Sequence, residues 1–146
     1  MSQGQGQSFA NHVRLVPLFH GVAFVLLLLP TGYAVGRAFK HPDAASLMAV
    51  SMGVGVLLLF FHARLFALTA KDRVIRLEET LRMERLLPAD LKARIAELTP
   101  AQFVALRFAP DAELPDLVRR TLANEFATSA DIKKAIKNWR GDYLRV

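Results

Sequence analysis

With 146 residues the chain has room for a membrane segment and one small domain, not for two full domains. It has no cysteine, which excludes a disulfide framework and a thiolate metal site. The net charge of +6 is uneven: only Arg14, Arg37 and Lys40 precede residue 64, and twelve of the thirteen acids lie from there onward with the other sixteen basic residues, Arg64 included. The later part is therefore only mildly basic, as befits a solvated surface near anionic headgroups and not a nucleic-acid footprint.

Residues 1–15 open with Gly, Gln and Ser, too polar to pack, and read as a mobile tail. Residues 16–36 are an uncharged apolar run with Leu26-Leu27-Leu28-Leu29 at its heart, long enough to cross the roughly 30 Å hydrocarbon core of a bilayer. Pro30 should kink that helix, which a membrane tolerates when neighbours satisfy the freed carbonyl. A cleaved signal peptide ending at Ala34-Val35-Gly36 is the rival reading. The length of the run and the second span that follows speak against it.

Arg37 to Asp43 reads as a seven-residue turn, with Asp43 set to cap the next helix. From Ala44 a second uncharged run extends to Ala63, so the two spans form an antiparallel hairpin. Gly32 and Gly36 lie at the same depth as Ala45 and Ala49, and these small residues, with Gly53 further along the second span, let helices pack closely. Basic residues Arg64, Lys71, Arg73 and Arg76 outnumber Arg37 and Lys40 in the turn. The positive-inside rule then puts both termini in the cytoplasm, on the inner membrane of a bacterium.

No Gly or Pro interrupts Arg64 to Leu87, so the second span is expected to run on as a helical stalk over residues 64–87. Ala49, Gly53, Val56, Phe60, Ala63, Ala67, Ala70, Val74, Leu77 and Leu81 alternate in steps of four and three, the seam of a left-handed coiled coil. Asp72 with Arg76 and Glu78 with Arg82 are spaced for pairing on one face. Val74, Leu77 and Leu81 either dock on the chain's own C-terminal helices or meet another copy, and both readings stand at this level.

Residues 88–146 carry ordered helix signals. Pro88 opens a short helix through Ile95, Thr99-Pro100 caps one over Ala101–Phe108, and Pro110-Asp111 begins another with Leu114, Leu117, Val118 and Leu122 on one face. Thr128 or Ser129 caps a last helix, Ala130–Trp139, with Ile132, Ala135, Ile136 and Trp139 inward. Together with Leu91, Ile95, Leu98, Phe103, Leu106 and Phe126 these make a small core that should lean on the stalk. The fold class is thus an all-α membrane protein, a transmembrane hairpin followed by a stalk and a small cytoplasmic helical domain.

Chemistry has few places to reside. His20 and His62 fall in the same half of the bilayer and could ligate a haem or pigment, yet both sit off the expected helix contact, where interfacial histidines meet headgroups or water. The sequence contains no Ser-His-Asp order, HExxH, GxGxxG or P-loop. Neither span holds an Asp, Glu, Lys or Arg of the kind that ion and proton pathways need. The reading is therefore not an enzyme, with no cofactor and no small-molecule substrate. Lys133, Lys134, Lys137 and Arg140 form a basic outer face that could hold anionic lipid or nucleic acid, with Trp139 and Tyr143 as anchors, or be a solvated helix surface. The partners expected are the lipid bilayer and either a second copy or a larger membrane complex.

Several segments look familiar together: Phe9-Ala-Asn-His-Val-Arg, Asp72-Arg-Val-Ile-Arg-Leu-Glu-Glu, Glu84-Arg-Leu-Leu-Pro, Leu98-Thr-Pro-Ala-Gln-Phe-Val-Ala-Leu-Arg-Phe-Ala and Ala135-Ile-Lys-Asn-Trp-Arg-Gly-Asp-Tyr. Over essentially its whole length the chain resembles a bacterial family of small two-span membrane proteins, the domain of unknown function 6526. The resemblance implies an inner-membrane location and the hairpin-plus-helices layout, and brings no activity, cofactor or site residue.

Overall fold

The computed structural model describes residues 7–10 and 16–142. His12, Arg14, Tyr143 and residues 1–6 of the expected tail lie outside the described residues. Among the described residues every regular element is helical. A π-helical stretch, Leu18–Ala23, leads into α1 (Phe24–Lys40), followed by α2 (Ala44–Leu86), α3 (Ala89–Lys92), a 3-10 turn at Ile95–Glu97, α4 (Pro100–Leu106), α5 (Leu114–Leu122) and α6 (Ser129–Ala135). The chain divides into two compact units, Arg14–Leu68 and the combination of Met1–Val13 with Thr69–Val146.

In the first unit the helix before the turn runs four residues further than expected, to Lys40. Arg37 to Lys40 contains charges but no helix breaker, so the turn shrinks to His41, Pro42 and Asp43. Asp43 Oδ1 accepts the Ser46 N–H at 2.7 Å, while Ser46 Oγ accepts the Asp43 N–H at 3.2 Å. This reciprocal cap starts α2. The Ser46 N–H and the Ser46 hydroxyl hold the Asp43 carboxyl below its ordinary value against the opposing effect of burial, and the charge of Arg37 adds a lesser push in the same direction.

The two helices of this unit meet on a face different from the one expected. A Cβ added at Gly32 or Gly36 would meet nothing within 4 Å, and Ala45 and Ala49 are exposed. The contact instead uses Thr31, Ala34 and Ser46, which are buried, and Gly53, where a Cβ would come within 2.6 Å of Thr31 Oγ1. Phe19 stacks on Phe60 at 4.2 Å, and Phe24 packs against Phe60 and Phe61. Gly32 and Gly36 are therefore corrected as intrachain contacts, because both helices are apolar all round and composition carried no angular information. Bulky rings at one end and the close approach of Thr31 to Gly53 set the rotation. Thr31 Oγ1 donates to Leu27 O at 2.7 Å, in the turn disturbed by Pro30.

Gly53→Ala is expected to force this contact apart, since the Thr31 hydroxyl is bonded in place and cannot simply swing away. Overpacking of this kind costs about 1–3 kcal/mol. Thermal unfolding in detergent should show the loss, with partial recovery in Gly53→Ala/Thr31→Ala; an unchanged transition in the single variant would argue against the contact.

In the second unit, Met83 of α2 and Leu87 just beyond it share one core with Leu91, Ile95, Leu98, Phe103, Leu106, Phe108, Leu114, Leu117, Val118, Ile132 and Ile136. The face that docks here is Ile75, Glu79 and Met83 of α2 with Leu87 just beyond its end, all buried. Val74, Leu77 and Leu81 are 54%, 62% and 45% exposed, so the intrachain reading of that seam is corrected. A row spaced by four residues wins because it continues straight into Leu91 across the Pro88 break.

The caps at Thr99 and Thr128 are both reciprocal, with Gln102 and Asp131 respectively. Pro88 caps α3 instead of opening it, and α5 begins only at Leu114 after a turn folded back on Pro110. The end of α6 also differs from the expected Trp139. It stops at Ala135, and Ile136 is already extended. The Glu113 carboxylate accepts the Lys137 N–H at 2.9 Å, the Asn138 N–H at 3.0 Å and the Asn138 side-chain amide at 2.8 Å, and the Arg140 N–H bonds Phe108 O at 2.8 Å. Part of the expected tail is also held: Gln7 Oε1 accepts the Asp142 N–H at 2.8 Å, and Lys134 Nζ lies 5.8 Å from the Phe9 ring.

Burial raises the Glu113 pKa, but the donors from Lys137 and Asn138 outweigh it and hold the carboxyl below its ordinary value. A depressed carboxylate contributes stability above its unfolded-state pKa and loses it as pH falls through the folded one. The segment after Ala135 should therefore loosen only in acid, below the ordinary glutamate range. Glu113→Gln should cost about 1 kcal/mol at neutral pH and remove that acid step. The single tryptophan, Trp139, sits in this segment, so the position of its fluorescence maximum against pH is the measurement.

Candidate functional site

His20 and His62 stay with their own helices. His20 is exposed with Nδ1 3.1 Å from the Val16 carbonyl, and His62 is exposed with Nδ1 2.8 Å from the Leu58 carbonyl. Their rings lean on neighbouring phenylalanines, His20 on Phe19 at 5.2 Å and His62 on Phe66 at 5.8 Å. Among the described residues no three His, Cys, Asp or Glu side chains gather as a metal site would need.

The basic residues near the C-terminus do not make one open strip. Lys133 is half-buried with Nζ 5.7 Å from the centre of the Phe108 ring, and burial, then the charges of Arg107 and Lys71, pull its pKa down. Lys134 Nζ pairs with Asp131 at 3.5 Å. The Lys137 side chain is exposed. Arg140 lies beyond the end of α6 and reaches Glu79 Oε1 at 3.4 Å. The expected outer face assumed a helix through Trp139; since α6 ends at Ala135, Arg140 leaves the row. Trp139 packs on Phe108 at 4.8 Å.

Arg140 thereby joins a charged cluster that spacing alone did not reveal. Glu79 is only 5% exposed in the middle of the docking face of α2. Arg82 Nη1 donates to Glu79 Oε2 at 2.9 Å, its Nη2 to the Ala109 carbonyl at 2.7 Å, and its Nε to Asp111 Oδ1 at 2.8 Å. Arg82 was expected to pair with Glu78, and pairs with Glu79 instead. An open cavity of about 410 Å³ is lined by Arg82, Pro110, Asp111 and Arg140. Two arginines face two carboxylates, so the cluster is charge-balanced and its chemistry is that of a clamp holding α2 to the turn before α5. The detectable signal was an acid in the row Ile75, Glu79, Met83, Leu87, where a buried carboxylate demands a cation.

What the second unit leaves outward on α2 is the apolar row Val74, Leu77 and Leu81, flanked by exposed Arg73 and Glu78. Large apolar side chains aligned in this way mark interaction surfaces more often than they mark solvent-facing ones.

The family model described as Family of unknown function (DUF6526) matches residues 1–146. The chain belongs to that family. No curated protein and no solved structure matches it. Membership in the DUF6526 family brings no activity to any of the side chains above, so their geometry carries the reading. Two helices of this family member, Leu18–Lys40 with its π-helical start and Ala44–Leu86, are long and apolar enough to cross a membrane.

Proposed function

We propose that the chain is a non-enzymatic protein of a bacterial inner membrane, anchored by the helical hairpin, whose C-terminal helical unit acts in the cytoplasm as a scaffold or accessory subunit. The observation that carries this reading is exposure. The most apolar windows of the two long helices are only 11% and 6% buried within the chain, with Leu26, Leu29, Leu47, Met48, Met52 and Leu59 each at least 60% exposed. A helix at the core of a soluble protein would hide such a window; lipid is the solvent that accepts it. Arg64, Lys71, Arg73 and Arg76 support a cytoplasmic position for the residues after the second span.

The scaffold role rests on the well-packed helical unit, which presents apolar and charged side chains on α2 while its buried charges are spent on holding the fold. Affinity purification from native membranes in mild detergent should recover the protein from the carbonate-resistant fraction together with a stoichiometric partner or a second copy. Release by carbonate would overturn the membrane reading. A carbonate-resistant protein that purifies as a partnerless monomer would overturn the scaffold reading.

A further inference from the structure

Beyond the last lipid-facing residues, α2 has two apolar faces on opposite sides at about 100° per residue. One, Ile75, Met83 and Leu87, is covered by the unit's own helices. The other, Ala70, Val74, Leu77 and Leu81, is exposed and follows the four-three spacing of a coiled-coil seam. We propose that this second face is a homodimer interface, in which α2 of one copy pairs in parallel and in register with α2 of another, and Arg73 meets Glu78 of the partner subunit. The proposal deepens the membrane reading and rests on it, because copies inserted with the same topology can present these segments only in parallel.

The occupant follows from charge and register. With Val74 and Leu81 at the first core position of the heptad and Ala70 and Leu77 at the second, Arg73 and Glu78 occupy the two flanking positions that face each other across a parallel pair. They carry opposite charges, both are exposed, and among the described residues neither takes part in an ion pair. Two-fold symmetry makes the bridge twice. The next flanking pair, Thr80 with Arg85 of the partner subunit, brings no like charges together. The seam stops at Glu84, which would fall at a core position, so the aqueous contact is short. Insertion compensates, since it already sets the direction and depth of both helices and leaves less freedom to lose on pairing.

The absence of native cysteine makes the test clean. Leu77→Cys and the off-seam control Arg76→Cys are each oxidised mildly in carbonate-washed native membranes. Leu77→Cys should yield a disulfide-linked species of twice the chain mass at many times the level of the control. Equal yields, or a Leu77→Cys adduct of any other mass, would overturn the proposal in favour of no partner or a different chain. Disappearance of the protein from the washed membranes would instead remove the membrane reading on which it rests. In detergent, Arg73→Glu or Glu78→Arg should each weaken the dimer about ten-fold, since two bridges become two repulsions, and Arg73→Glu/Glu78→Arg should restore it. A double variant as weak as the singles would exclude the assigned register.

Discussion

Arg82→Leu should destabilise the C-terminal unit by about 3–5 kcal/mol, because it strips a buried carboxylate of its nearest cation. Glu79 has a side chain 7% exposed and Arg82 one 12% exposed, so water screens neither. The remaining partner, Arg140, stands 3.4 Å away and is 52% exposed, too loosely held to replace a guanidinium at 2.9 Å. Removing Arg82 also leaves the Ala109 carbonyl without its donor. Glu79→Leu/Arg82→Leu should recover most of the loss, since a pair of apolar side chains replaces a buried ion pair with little penalty once neither charge is stranded. Urea unfolding followed by Trp139 fluorescence measures both. A single variant that loses under about 1 kcal/mol, or a double as unstable as the single, would show that the cluster does not act as a clamp.

Phe108→Ala should cost a comparable 3–5 kcal/mol through the cavity it opens and the contacts it removes. Phe108 has no exposed surface, packs on Trp139 at 4.8 Å, and carries Arg107 4.5 Å above its ring. Its carbonyl also receives the Arg140 N–H, so the backbone of the last segment is positioned by the same residue. The variant should therefore shift Trp139 emission to the red before the rest of the unit unfolds, whereas Arg82→Leu should shift it together with global unfolding. Phe108→Leu, which keeps most of the volume, should lose far less. If alanine and leucine behave alike, packing at this position is not what holds the segment. A small unit has little stability to spare, so either truncation is expected to leave it partly unfolded at 37 °C.

These two variants also separate what was legible from what was not. The caps at Asp43, Thr99 and Thr128 were readable because a cap is a bargain among neighbours: a side-chain oxygen meets an N–H three residues on. The unbroken course of α2 was readable because neither Gly nor Pro interrupts Leu57 to Leu87. Most core positions of the second unit were readable from the faces of short amphipathic helices, such as Leu114, Leu117 and Val118 on α5.

The rotation of the hairpin was not readable. Helices that are apolar on every side pack on whichever face carries the right shape, and only the rings of Phe19 and Phe60 and the close approach of Thr31 to Gly53 select it. Nor was the second cation on Glu79. Arg140 is 61 residues away along the chain, and Glu113 accepts the N–H groups of Lys137 and Asn138, beyond the end of α6, across 24 and 25 residues.

The amino-acid sequence by itself determined the helical class, the two apolar runs, the capped starts of α2, α4 and α6 and the family, because each follows from local chemistry or from composition along the chain. Only the tertiary structure decided which face of α2 is covered, where α6 ends and which charges are buried together. Those outcomes depend on competition between distant groups for the same donors and the same space. Val74, Leu77 and Leu81 are left outward because another row, Ile75 to Leu87, took the core.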